Sequence, residues 1–516
     1  MNTDINPIIK LDYPDPDVIR VGDTYFMVST TMHFMPGCEI LRSYDLVNWE
    51  HVCYVYETLD GTPGQRLSDD ESIYGKGMWA ACIRFHEGKF YICFVANDTH
   101  KTYLFTAENI EGPWEKHFIE GFYHDSSLLF DDDGNVYIVY GNKDIWITQL
   151  KEDLSAPKPG GLNRIIISDE GHPGLGYEGS HIYKINGRYY VFLIHSRRDR
   201  WFRTEACFSA ESLEGKFTGK DVLEDDRGYC GQGVAQGGIV DTPWGDWYAV
   251  LFQDHGAVGR IPVLMPVTWK NDFPVFGTEG KVPGKVSVTS TRPGYAYKPL
   301  TGSDDFYYSP GADGKIWPDA KWQFNHEPAE SAYKLDGQSG TFEITVSKIC
   351  KNLTQAPNTL TQRMCFPACS AEVTIDAGNL SEGDYAGLCV LQGCYAMAAL
   401  TRRKGRLWIV MQSREAENAS LEAMEPDLSS GMEWEAVQIE GDTVRIKVTA
   451  DFDHMKDEAV FYYQKNGQFI PIGPAHKLYF KMDHFTGSRV GLFCYGTMTL
   501  GGKAYFSRFV YGAGRE

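Results

Sequence analysis

A phrase that recurs five times in the first half of the chain restricts the fold more than any other feature. VIRVGDTYFMVS begins at Val18, IRFHEGKFYICF at Ile83, LLFDDDGNVYIVYG at Leu128, IYKINGRYYVFLI at Ile182 and IVDTPWGDWYAVLF at Ile239. Each copy reads as a strand, a glycine-containing turn and an aromatic-rich strand, which is the pattern of a β-hairpin. The turn glycines are Gly22, Gly88, Gly134, Gly187 and Gly245, separated by 66, 46, 53 and 58 residues. Units of this size suit the blades of a β-propeller, roughly 40–50 residues or a little more, whereas the coils of a β-helix are much shorter. The segments SYDLVNW, AENIEGPW and AESLEGKF, ending at Trp49, Trp114 and Phe217, fit the outer hairpins of such blades. The expectation is an all-β chain opening with a five-bladed propeller.

Counting back nine residues from four of the glycines gives Trp79, Asp125, Glu178 and Gln236, and seven residues before Gly22 stands Asp15. Blades radiate from one channel, so equivalent positions at the start of the inner strand should face the same space. Three of the five carry carboxyls. Asp15 lies in LDYPDPDVIR, where Pro14 and Pro16 fix two φ angles and bias the residues before them toward extended backbone, so it is expected on a rigid, extended segment. Convergent acids push one another's pKa values apart, which lets one protonate a leaving oxygen while another activates water, as in glycoside cleavage. Carboxylates converging on an axis also bind calcium, which is the alternative to catalysis. Phe34, Trp79, Tyr177 and Gln236 would offer ring faces and an amide to a neutral sugar.

A net charge of −20 argues against nucleic acid or an anionic membrane surface as a partner. The start, MNTDINPIIK, has no basic region followed by an apolar run, and twelve scattered cysteines behave as small hydrophobes, so a cytoplasmic protein is expected. Cys365 and Cys369 have no matching second pair for zinc. TRPGYAYKPLTGSDDF, from Thr291, reads as a linker. Beyond it GTFEITVS, SAEVTIDA, GRLWIVMQ and DTVRIKVTA alternate as the strands of a β-sandwich. The expected division is a propeller over 1–290, a linker over 291–303 and a sandwich over 304–516.

The blocks around Asp15 (YPDPDVIRVGDTYFMVSTT), Asp125 (HDSSLLFDDDGNVYIVYG) and Glu178 (YEGSHIYKINGRYYVF) resemble the three signature blocks of glycoside hydrolase family 43, the β-xylosidases and α-L-arabinofuranosidases. NTLTQRMCFPACSAEVTID and EGDYAGLCVLQ resemble the lectin-like sandwich of its xylosidase-type members. The resemblance implies Asp15 as general base, Glu178 as general acid and Asp125 as the residue that orients the acid and tunes its pKa, with inversion at the anomeric carbon. It also implies sugar contacts from Trp79, Phe34 and Arg260. Gln236 departs from the family's histidine near an axial calcium, and His255 in FQDHGAVGR is the candidate replacement ligand. The sandwich is expected to wall the opening into a pocket, giving exo action on arabinoxylan oligosaccharides. GRIPVLMPVTW and RWFRTEACF resemble the group combining arabinofuranosidase and xylosidase activity. An endo-arabinanase with an open groove and a non-catalytic sugar-binding propeller are the alternatives.

Overall fold

The computed structural model describes residues 5–169, 171–172, 174–311, 314–414 and 429–515. Five four-stranded antiparallel sheets, spanning 17–56, 78–119, 127–168, 178–223 and 234–276, are blades 1 to 5 of a propeller. In every blade the turn glycine joins the first two strands, so those turns share one face of the ring. The chain's entries into the inner strands, with Asp15, Trp79, Asp125, Glu178 and Gln236, lie on the other.

Ring closure uses local pairing rather than a shared strand. Gly238 N donates to Pro16 O at 2.9 Å and Arg20 pairs with Asp241 at 2.6 Å, joining blade 5 to blade 1. Asn6 clasps Leu264 through both backbone groups, and Ile8 N and Tyr13 N donate to Pro262 O and Arg260 O.

Polar groups fill the axis below the carboxyl ring. Asp17, fully buried, accepts from Arg84 Nη1 at 2.6 Å and Ile83 N at 2.8 Å, and lies 3.0 Å from His181 Nδ1. Burial opposes its charge, but Arg84 and His181 outweigh that and hold its pKa at about 2. Arg84 also donates to Ser127 Oγ and Leu128 O. Asp17→Ala would leave a buried guanidinium without its carboxylate, so we expect a loss of about 3–5 kcal/mol, read as a lower melting temperature. Adding Arg84→Met should recover part of it, and an unchanged melting temperature in the single variant would contradict this picture.

The second unit is a sandwich of an eight-stranded and a seven-stranded sheet. Propeller strand Phe34–Met35 is itself the edge of the eight-stranded sheet, pairing with Gln323–Asn325. Buried Arg363 of the sandwich pairs with Glu39 of blade 1 at 2.7 Å and donates to Asp12 O. Gly487 N donates to Asp12 Oδ2 at 2.8 Å, and a Cβ at Gly487 would sit 2.2 Å from Val258 O, so only glycine permits this approach. Segment 291–303 is tied to blade 1: Arg292 pairs with Asp23, and Glu50 accepts from Tyr295 and Lys298 N. The cysteines are free thiols, and Cys365 and Cys369 belong to the apolar core.

Candidate active site

The carboxyls stand where the chain enters the inner strands, and the local backbone aims them. Asp15, Asp125 and Gln236 have φ of 52°, 47° and 56°, and Gly179, next to Glu178, has 67°. Asp15 is therefore left-handed rather than extended, correcting the expectation drawn from Pro16. Left-handed backbone is costly for residues other than glycine and persists where surrounding bonds fix it. Here Ser29 Oγ and Thr30 N both donate to Pro14 O, and Gly238 N holds Pro16 O. Trp79, Glu178 and Gln236 sit at register shifts that open the inner strands of blades 2, 4 and 5, the way β-bulges re-aim a side chain.

Both Asp15 oxygens accept hydrogen bonds, Oδ2 from Thr30 Oγ1 at 2.6 Å and Oδ1 from Arg260 Nη1 at 2.8 Å. Glu178 Oε2 accepts from Asn142 Nδ2 at 2.6 Å, and its side chain is 19% exposed at the opening. Asp125 Oδ2 accepts from Gly179 N at 3.2 Å. Burial raises Asp125 to about 7; His124 pulls it down while Glu178 and Asp15 push it up.

His124 was not among the residues singled out from the sequence. Its Nε2 lies 3.7 Å from Asp125 Oδ2 and 3.6 Å from Glu178 Oε2, without a hydrogen-bond partner among the described residues. The ligand atoms of His124, Asp125 and Glu178 all fall within 4.8 Å of one another. Burial opposes its charge, yet Asp125, Glu178 and Asp15 raise its pKa to about 9, so the imidazole is cationic at neutral pH. His124→Ala removes a charge that lowers Asp125, so Asp125 should titrate above 7 and the corresponding limb of the pH–rate profile should move to higher pH. A profile unmoved by the substitution would contradict the coupling.

Trp79 faces the same space, its ring 5.9 Å from His124 and 5.5 Å from Phe485. Arg260, 3% exposed, binds Asp15 while its Nε and Nη2 have no partner among the described residues, leaving two donors for a hydroxylated ligand. The Gln236 side chain lies where a Cβ on Gly179 would meet it at 2.7 Å, and the Gln236 backbone N donates to Glu205 Oε2, a fully buried acid whose pKa burial drives well up.

Three assignments need correcting. Phe34 is 1% exposed, enclosed in the sandwich-side core with the Arg489 guanidinium 3.8 Å from its ring centre, so it presents no face to a sugar. Tyr177 packs edge-on against His172, His195 and Phe208 in blade 4. His255 lies between Tyr229 and Phe366, with Nε2 3.2 Å from Gln253 Oε1. Burial and the nearby Arg227 hold its pKa at about 3. Aromatic rings, one amide oxygen and a neighbouring cation do not fit a calcium site, and on the axis Arg84 already supplies the positive charge that Asp17 faces.

The sandwich contributes Phe485, whose ring lies 4.5 Å from the Arg260 guanidinium and beside Trp79. We expect Phe485→Ala to lower kcat/KM about 10- to 100-fold by opening this wall; a value near wild type would place Phe485 outside the binding pocket.

Residues 5–274 match the model of Glycosyl hydrolases family 43, and residues 318–512 match that of the Beta xylosidase C-terminal Concanavalin A-like domain. A beta-xylosidase of Formosa agariphila is 27% identical over 99% of this chain and 90% of its own. A non-reducing end alpha-L-arabinofuranosidase of Bacteroides ovatus is 24% identical over 75% of this chain and 73% of its own. The solved structure of a bifunctional GH43-CE protein of Bacteroides eggerthii superposes with a TM-score of 0.90 at 39% identity; it covers 99% of this chain, which spans 64% of that longer protein.

Proposed function

Because the chain belongs to glycosyl hydrolases family 43 and is a glycosidase, we propose that it removes single α-L-arabinofuranose or β-D-xylose units from the ends of arabinoxylan-derived oligosaccharides, with inversion. The observation that carries this reading is the convergence of Asp15, Asp125 and Glu178 in different surroundings. Asp15, with both oxygens accepting, is arranged to receive a proton from water, and its bonds to Thr30 and Arg260 fix the carboxylate's orientation. Glu178, at the opening, is placed to donate to the leaving oxygen. Asp125, buried and bonded to Gly179 N, sets the electrostatic field around Glu178 together with His124.

Exo action is supported by the wall that Phe485 builds against Trp79 and Arg260, which suits a pocket for a chain end better than a groove. The names of the curated relatives support both sugars. The free thiols fit a reducing compartment, and we place the enzyme in the cytoplasm, acting on imported fragments. Incubation with nitrophenyl α-L-arabinofuranoside, nitrophenyl β-D-xylopyranoside and arabinoxylan oligosaccharides tests the reading. Release of free pentose is expected, and products that are all oligosaccharides would overturn exo action.

A further inference from the structure

The turn at 197–202, RRDRWF, joins strands Arg188–Ser196 and Arg203–Ala210 on the carboxyl face of blade 4. It stands directly outside Glu178. Glu178 is in register with Ile194, the next rung out is Ser196 N to Leu175 O at 2.9 Å, and beyond it Trp201 lies against Gly174. Glu178 is four positions after Gly174, so the two Cα atoms are within about 14 Å.

Trp201 is 54% exposed. A Cβ on Gly174 would stand 3.1 Å from its Cε3, so the glycine lets the indole rest on the strand approach, and the Arg203 guanidinium lies 5.5 Å from the ring. Arg203 pairs with Asp254 and, with Arg260, flanks Phe252, so an unbroken set of contacts runs from Trp201 to Asp15. Single exposed apolar residues are common on protein surfaces, but this one stands on the carboxyl face beside exposed Arg198 and Arg200. Arg197 is neutralised by Asp199 and Glu224, whereas Arg198 and Arg200 have no carboxylate partner among the described residues. In a chain of net charge −20, two such cations beside an open indole suit an anionic ligand with an apolar face.

We propose that Trp201, Arg198 and Arg200 form a leaving-group subsite for an oligosaccharide that carries a uronic acid: the indole stacks a sugar ring and the arginines receive its carboxylate. This rests on Glu178 being the acid that faces the leaving group. The test measures kcat/KM on a nitrophenyl pentoside, a neutral pentose oligosaccharide and the same backbone bearing a uronic acid. Wild type should favour the acidic substrate over the neutral one, and high salt should erase that preference. Trp201→Ala should lower the ratio of oligosaccharide to nitrophenyl kcat/KM about tenfold, and Trp201→Phe should restore most of it. The Arg198→Ser/Arg200→Ser variant should lose the preference for the acidic substrate. An unchanged ratio in Trp201→Ala, or a preference surviving in the double variant, would overturn the proposal. If wild type turned over no nitrophenyl pentoside, the reading of the reaction would fail; titration calorimetry of both oligosaccharides against the same variants would still decide the subsite.

Discussion

Replacing Asp15 with asparagine is expected to lower kcat about 1,000-fold, with a much smaller change in KM. The amide oxygen can still accept from Arg260 while its NH2 donates to the Thr30 hydroxyl, so the pocket keeps its shape while losing the group that removes the proton from water. The loss should be similar for substrates with good and poor leaving groups, because water activation precedes neither kind of departure independently in a single displacement. Steady-state kinetics with nitrophenyl and oligosaccharide substrates, alongside a melting curve to confirm folding, provide the check. A loss below about tenfold would fall under the usual range for a general base and move that role elsewhere.

Glu178→Gln should behave differently. On oligosaccharides, whose leaving oxygen needs a proton, a loss of about 1,000-fold is expected, but on dinitrophenyl pentosides, whose dinitrophenolate departs as a stable anion, most of it should vanish. Equal losses on both substrates would show that Glu178 shapes the site instead of donating the proton. Gln236 and Asn142, the amides beside it, keep the neighbourhood polar in the variant, which makes the comparison a test of the proton alone.

The inner hairpins were legible because a strand, a glycine turn and an aromatic strand recur as a local pattern, and counting back from the glycine found the carboxyls. The shorter offset of Asp15 has two local causes, each removing one residue relative to blades 2 and 4. Gly22 is the first turn residue, whereas Gly88 and Gly187 are the second, and the strand after Asp15 lacks the register shift that follows Trp79 and Glu178. The left-handed backbone at Asp15 was not legible, since it is imposed by bonds from Ser29, Thr30 and Gly238, remote in sequence.

His124 could have been found: a histidine directly before a candidate acid is a local signal. Phe485 could not, because it reaches Trp79 only through the docking of a second unit some 400 residues later in the sequence. Phe34 and His255 show the opposite limit. Position in a motif suggested a sugar contact and a metal ligand, but packing against Arg489 and between Tyr229 and Phe366 decides their surroundings. Arg84 is likewise an ordinary strand arginine by sequence, and only the packing of blade 2 against blade 1 sets it against Asp17 on the axis.

The most direct test of a single displacement by Asp15-activated water with Glu178 as acid is proton NMR of the sugar anomer released in the first moments of hydrolysis. The account predicts inversion: β-L-arabinofuranose from an α-L-arabinofuranoside, and α-D-xylose from a β-D-xyloside, each then mutarotating to equilibrium. First release of the anomer with the substrate's own configuration would mean a covalent intermediate and would contradict it.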